Sequence, residues 1–262
     1  MLRYYIVMTD FLKTRKTFAL RAAVMLLTAL VFAGSVRAAV PDNDDIYDKT
    51  ADPQSPYYYP NLKLRFDEWA VPMADDELFY LYYGFAFSEQ YKPLQSDPYY
   101  TRVMEIMAKI AIEQPLLSDI DELIMAATQS LEHDPFSPQM LNILAYAYGA
   151  LGDKGREKAY YERFNGILRV IESSGDGLKE KSAMHITMFS HGLDLIASKG
   201  LAYRKGRVIS RNVEYVPLEV PHEKVKGYYF DFSRIYWNNP EGYTFKRERT
   251  WQFNNLKPRE YK

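Results

Sequence analysis

The sequence predicts an α+β fold, mainly α: helical hairpins over residues 57–175, then a small C-terminal β-containing part over 178–237. Three observations carry this. Within Ser137–Ile171, apolar residues recur at helical spacing on both sides of a glycine-bounded turn. A similar pair of segments starts 39 residues earlier, at Tyr99 against Pro138, so the hairpin is repeated. Beyond Gly175-Asp176-Gly177 the apolar period shortens to two, the period of a strand.

Residues 39–56 read as an acidic linker. Asp42, Asp44, Asp45 and Asp48 crowd this stretch, but the central glycine and closing glutamate of a calcium loop are missing. Tyr57-Tyr58-Tyr59-Pro60 leads into a short helix through Leu62, Leu64, Phe66 and Trp69. Asp75 is placed to cap the next helix, running to about Ser88, with Asp76 and Glu77 in a first turn where the macrodipole favours acids. Leu78, Phe79, Leu81, Tyr82, Phe85 and Ala86 leave it almost no polar face, which predicts burial. Gly84 in that run predicts close packing against another backbone. Asp97-Pro98 starts a helix through Val103, Ile106, Met107 and Ile110 that ends before Pro115. Ser118 with Asp121 resembles a capping box for a helix through Leu123, Ile124, Ala127 and Leu131, ending at Asp134-Pro135.

Ser137-Pro138 then opens the central hairpin. Leu141, Leu144, Ala145 and Tyr148 face inward on its first helix, Gly149–Gly155 make the turn, and Ala159, Tyr160, Phe164, Ile167 and Leu168 face inward on the second. Met184, Ile186 and Met188 alternate with His185, Thr187 and Phe189. This predicts a strand to Phe189 and a short helix from His191 to Ser198 stopped at Gly200; a single helix over this stretch is the alternative. Val-, Tyr- and Phe-rich runs at Arg207–Val220 and Gly227–Tyr236, joined through Pro221-His222-Glu223-Lys224, predict a β-hairpin, and 238–262 a polar tail.

Residues 1–38 have the order of an export signal. Lys13, Arg15, Lys16 and Arg21 are followed by the apolar run Ala22–Ala33 and the small-residue site Val36-Arg37-Ala38; Met8 is a second candidate start. The run of about a dozen residues is too short to span a bilayer. With no cysteine in the chain, disulfides, thiolate metal sites and a cysteine nucleophile are excluded, as is a lipid-anchored lipoprotein. Those 38 residues hold six bases and one acid, which leaves 27 bases against 33 acids, a net charge of −6, for the remainder. An acidic chain is a poor match to nucleic acid or anionic lipid. The expected address is periplasmic or secreted, with no membrane span after signal removal. The 23 tyrosines suit half-buried surfaces, so a Tyr-rich core is the first expectation and a dedicated binding face the alternative.

Leu141, Leu144, Ala145, Tyr148 and Gly152-Asp153 fit the spacing of a tetratricopeptide repeat, and Leu131–Pro135 resembles the end of a preceding one. Ala159 falls two places late, so the hairpin resembles a tetratricopeptide repeat with a lengthened turn, over residues 119–164. A second resemblance covers residues 57–236. Tyr57-Tyr58-Tyr59-Pro60, Leu81-Tyr82-Tyr83-Gly84-Phe85, Tyr91-Lys92-Pro93 and Lys226–Phe232 are similar to the landmarks of an uncharacterised family of exported Gram-negative bacterial proteins, a domain of unknown function. That resemblance implies an exported helical-plus-β domain and carries over no activity and no site residues.

Phosphate-binding glycine loops, nucleophile elbows, zinc-protease helices and dinucleotide fingerprints are missing from the sequence. His185, His191 and Asp194 lie within ten residues and could meet as metal ligands, but the strand-then-helix reading separates the two histidines, so no metal and no cofactor are expected. Asp75/Asp76/Glu77 and Asp119/Asp121/Glu122 are better explained as first-turn acids. A binding groove has more to recommend it. In tetratricopeptide-like hairpins the first helix of each pair lines a concave face. Here that helix carries Gln139, Asn142 and Tyr146 one turn apart on one side, amides plus a phenol suited to an extended peptide or a sugar. The competing reading has Asn142 and Tyr146 packing on the preceding helix. The expectation is an exported, non-enzymatic protein-interaction module with a protein or peptide partner. The alternative is a secreted hydrolase acting on envelope or host carbohydrate with a carboxylate pair.

Overall fold

The computed structural model describes residues 38–68, 72–110 and 115–237. Residues 1–37 and 238–262, with the export signal and the polar tail read there, lie outside the described residues, as does Trp69. Among the described residues the chain forms eight α-helices and, near its C-terminal end, a small mixed sheet of four strands, an α+β fold that is mainly α.

Part of the acidic stretch is helical. In α1 (Asn43–Ala51) the Asp42 carboxylate caps the N-terminus, accepting from Asp44 N at 3.0 Å and Asp45 N at 3.3 Å. Asp44 and Asp45 sit where a helix tolerates acids best. Ile46 and Thr50 are buried against α3, so this part of the acidic stretch is docked on the core. Helix α2 (Tyr59–Asp67) buries Leu62 and Phe66 but leaves Leu64 exposed.

Helix α3 (Asp75–Gly84) continues into a 3-10 turn at Phe85–Phe87. Its cap position is Ala74, not Asp75, and the Glu77 side chain closes the end by accepting Ala74 N at 2.9 Å. Leu78, Leu81, Tyr82 and Tyr83 are buried as the missing polar face predicts. Gly84 is a close approach, though to a side chain rather than a backbone. A Cβ there would lie 2.8 Å from Thr50 Cγ2, and the Thr50 hydroxyl is held by Ile46 O at 2.7 Å, so the methyl cannot swing away freely. We expect Gly84→Ala to destabilise by ~1 kcal/mol despite alanine's better helix propensity. Thr50→Ser in the same chain removes the methyl and should restore most of the loss in urea unfolding; an unchanged G84A midpoint would remove the contact from the account.

Two helical hairpins follow: α4 (Pro98–Met107) with α5 (Leu117–His133), and α6 (Pro138–Ala150) with α7 (Lys154–Ser173). Asp97, Ser137 and Asp153 cap α4, α6 and α7 through Tyr99 N, Met140 N and Arg156 N. The expected box at Ser118/Asp121 is not used; the cap position of α5 is Leu116, two residues earlier, without a side-chain cap. Gly152 ends the α6 turn at φ +77°, a conformation glycine adopts without strain. Neighbours pack in order, α4 on α5, α5 on α6 and α6 on α7, while α3 covers α7.

Beyond α7, Met184–His185 form β1, and α8 (Phe189–Ser198) starts two residues sooner than expected because the strand ends at His185. The strand order is β1-β4-β3-β2, with β1 parallel to β4 and the other pairs antiparallel. The hairpin is β3 (Val213–His222) and β4 (Val225–Asp231), turning at Glu223-Lys224, both at positive φ (46° and 74°) as a tight hairpin demands. Arg207–Val208 form a separate strand, β2, and Ser233–Tyr236 a 3-10 turn, so both predicted runs divide. One apolar core runs through helices and sheet, and tyrosines 82, 83 and 91 are buried within it.

Candidate functional site

A cavity of about 840 Å³ lies among α2, α3, α7 and α8. Its rim is held by ion pairs: Arg65–Glu77, Arg169–Asp75 at 3.0 Å, Lys158–Glu162 at 3.7 Å and Lys199–Glu172. Charges that neutralise one another offer little to a ligand, so this cavity has the character of a fold joint.

A second cleft, about 630 Å³, opens between α4, the end of α5 and the start of α8. Tyr100 and Phe189, 41% and 36% exposed, stand on its rim, with Asp97, Glu132 and Asp134 among its acids. Asp97 is already engaged, accepting Tyr99 N at 2.8 Å and Ser130 Oγ at 2.5 Å. Asp134 is engaged too. Its Oδ1 accepts Phe136 N at 3.3 Å, and its Oδ2 lies 2.7 Å from His191 Nε2.

That last contact begins a buried relay. His191 is fully buried in α8, and its Nδ1 lies 2.8 Å from the Tyr82 hydroxyl and 3.4 Å from Thr187 Oγ1. The Tyr82 oxygen also accepts Thr187 N at 3.2 Å. Both ring nitrogens of His191 thus have a partner, Asp134 on one side and Tyr82 with Thr187 on the other. Burial raises the Tyr82 pKa well above its ordinary value, so the phenol stays a donor.

The residues singled out on α6 divide. Gln139 Nε2 donates to Met104 Sδ at 3.4 Å, linking α6 to α4. The Gln139 side chain also sits beside the Tyr100 hydroxyl, so the cleft and the α6 face meet at these two residues. Asn142 is exposed one turn on, and Tyr146 is half-buried and packed against the core. Of the three metal candidates, His191 and Asp194 are close enough to interact, whereas His185 turns to Arg234 (Nδ1–NH1 3.3 Å) and Asp231 (3.8 Å). Among the described residues no group of three His, Asp or Glu side chains is placed to hold a metal ion. Sequence reasoning did not join Tyr82, Asp134 and Thr187 to His191, since Tyr82 and Asp134 lie 109 and 57 residues from it along the chain.

Among the described residues no helix is long and apolar enough to cross a membrane. A family model with the description "Domain of unknown function (DUF4919)" matches residues 44–240. No curated protein and no solved structure matches.

Proposed function

We propose that this chain, which belongs to the DUF4919 family, is an exported, non-enzymatic binding module built from tetratricopeptide-like hairpins that takes an extended protein segment on its α4–α6–α8 side. The shared face of the two first helices carries this reading. Gln139 reaches Met104 across α4 and α6, Tyr100 stands beside it, Asn142 is exposed one turn further, and α8 packs on α6. The repeat supports it as well: α4 and α6 begin at Pro98 and Pro138, each is the first helix of a hairpin, and α5 packs between them in sequence order. Export is supported by the basic, apolar and small-residue order of residues 13–38. A hydrolase working through a carboxylate pair finds less support, because Asp97 and Asp134 in the cleft already hold structural hydrogen bonds.

The test is a double substitution, Asn142→Ala with Tyr146→Ala, used as bait in envelope extract beside the wild type. The expected result is loss of the captured partner with an unchanged circular dichroism spectrum. Undiminished capture by a folded double variant would contradict the groove.

A further inference from the structure

Asp194 lies on α8 facing the first turn of α6. Its carboxylate oxygen Oδ2 is buried without a hydrogen-bond partner. The groups around it come from four places: Tyr100 on α4, Asp134 in the α5–α6 connection, the Gln139 backbone N–H at the start of α6, and His191 one turn back on α8; Tyr203 stands beyond Tyr100. His191 is the only one of these that could neutralise a carboxylate, and it is committed. Its Nε2 lies 2.7 Å from Asp134 and its Nδ1 2.8 Å from the Tyr82 hydroxyl, so both ring nitrogens face groups other than Asp194. An ionised Asp194 would therefore be a second buried negative charge beside Asp134 with no cation of its own.

We infer that the α6–α8 joint is a proton-operated latch, closed when Asp194 carries a proton and loosened when it ionises. The electrostatics agree with the geometry. Burial, the largest cause, raises the Asp194 pKa from its ordinary 3.8 to about 6; Asp134 adds to this, while His191 and the Gln139 N–H oppose it. The folded chain thus holds this proton more tightly than the unfolded chain does. The contribution of Asp194 to stability is intact at low pH and is lost as pH rises through about 6. Acid-loving groups of this kind work against the ordinary trend here, since Asp45, Glu77 and Asp176 have lowered pKa values and stabilise toward neutral pH. Because α6 carries Gln139, acidification would also firm up the face proposed above, but the latch is a property of the ligand-free chain and stands or falls without that function.

The experiment is thermal unfolding of the wild type and Asp194→Asn at pH 5.0 and 7.5, where all other groups cancel in the difference. The variant should melt about 3 °C or more above wild type at pH 7.5 and close to it at pH 5.0. An equal difference at both pH values, or none, overturns the latch. Should the asparagine variant fail to fold, carbon NMR of the wild-type Asp194 carboxyl decides. A midpoint near 6 supports the inference. A midpoint near 4, or an imidazolium at His191 above pH 7, overturns it.

Discussion

Arg234→Ala should lower the unfolding free energy by about 3–5 kcal/mol, the largest loss expected for any single side chain outside the purely apolar core. Arg234 is 1% exposed in the turn after β4. One of its terminal nitrogens donates to Pro41 O at 3.0 Å and Asn43 Oδ1 at 2.6 Å, and the other approaches His185 Nδ1 at 3.3 Å. Its guanidinium lies 5.0 Å from the Tyr83 ring centre and 5.5 Å from that of Trp237. One buried cation thus joins the entrance of α1 to the turn after β4, 193 residues away along the chain. Alanine would strand the Pro41 carbonyl and leave a cavity, and lysine could not reproduce the fork of donors. Urea unfolding with an unchanged m-value measures the loss. A second readout is His185, which burial chiefly, and Arg234 in part, hold neutral with a pKa lowered to about 4. Its midpoint should rise in the variant. A loss under 1 kcal/mol would mean that α1 is docked by other contacts.

His191→Ala should cost about 3 kcal/mol, combining a buried cavity with two stranded partners, the Tyr82 hydroxyl and the Asp134 carboxylate. Tyr82→Phe breaks the same relay from its other end. It strands Thr187 N and leaves His191 Nδ1 only the Thr187 hydroxyl at 3.4 Å, with no cavity, so about 1–2 kcal/mol is expected. The two losses should not add in the double variant, because both act on one chain of hydrogen bonds. Additive losses in that cycle would show that the groups stabilise the fold separately.

The helices were legible wherever the apolar face was broad. Leu141, Leu144 and Tyr148, and then Tyr160, Phe164 and Ile167, are buried where their spacing put them. Helix α1 was not, because only Ile46 and Thr50 of its nine residues are buried, and its acids read equally as a solvated run or as a helix N-terminus. The β-hairpin was legible from the Val-, Tyr- and Phe-rich runs on either side of its connection, although Glu223 and Lys224 adopt positive φ without the Asn-Gly chemistry that marks such turns. At the candidate site, Gln139 and Asn142 could be placed on one helix face from spacing alone. The relay could not. Asp134 and His191 are 57 residues apart and Tyr82 and His191 are 109 apart, so their meeting is a product of tertiary packing that no local pattern records.

The central claim is that the α6 side facing α4 receives a partner, and site-specific photo-cross-linking in intact cells tests it most directly. A photoreactive phenylalanine analogue at Asn142 is compared with the same group at Met125, an exposed position on α5. The account predicts a discrete higher-mass adduct from position 142 and none from 125. No adduct from 142, or the same adducts from both positions, would contradict it.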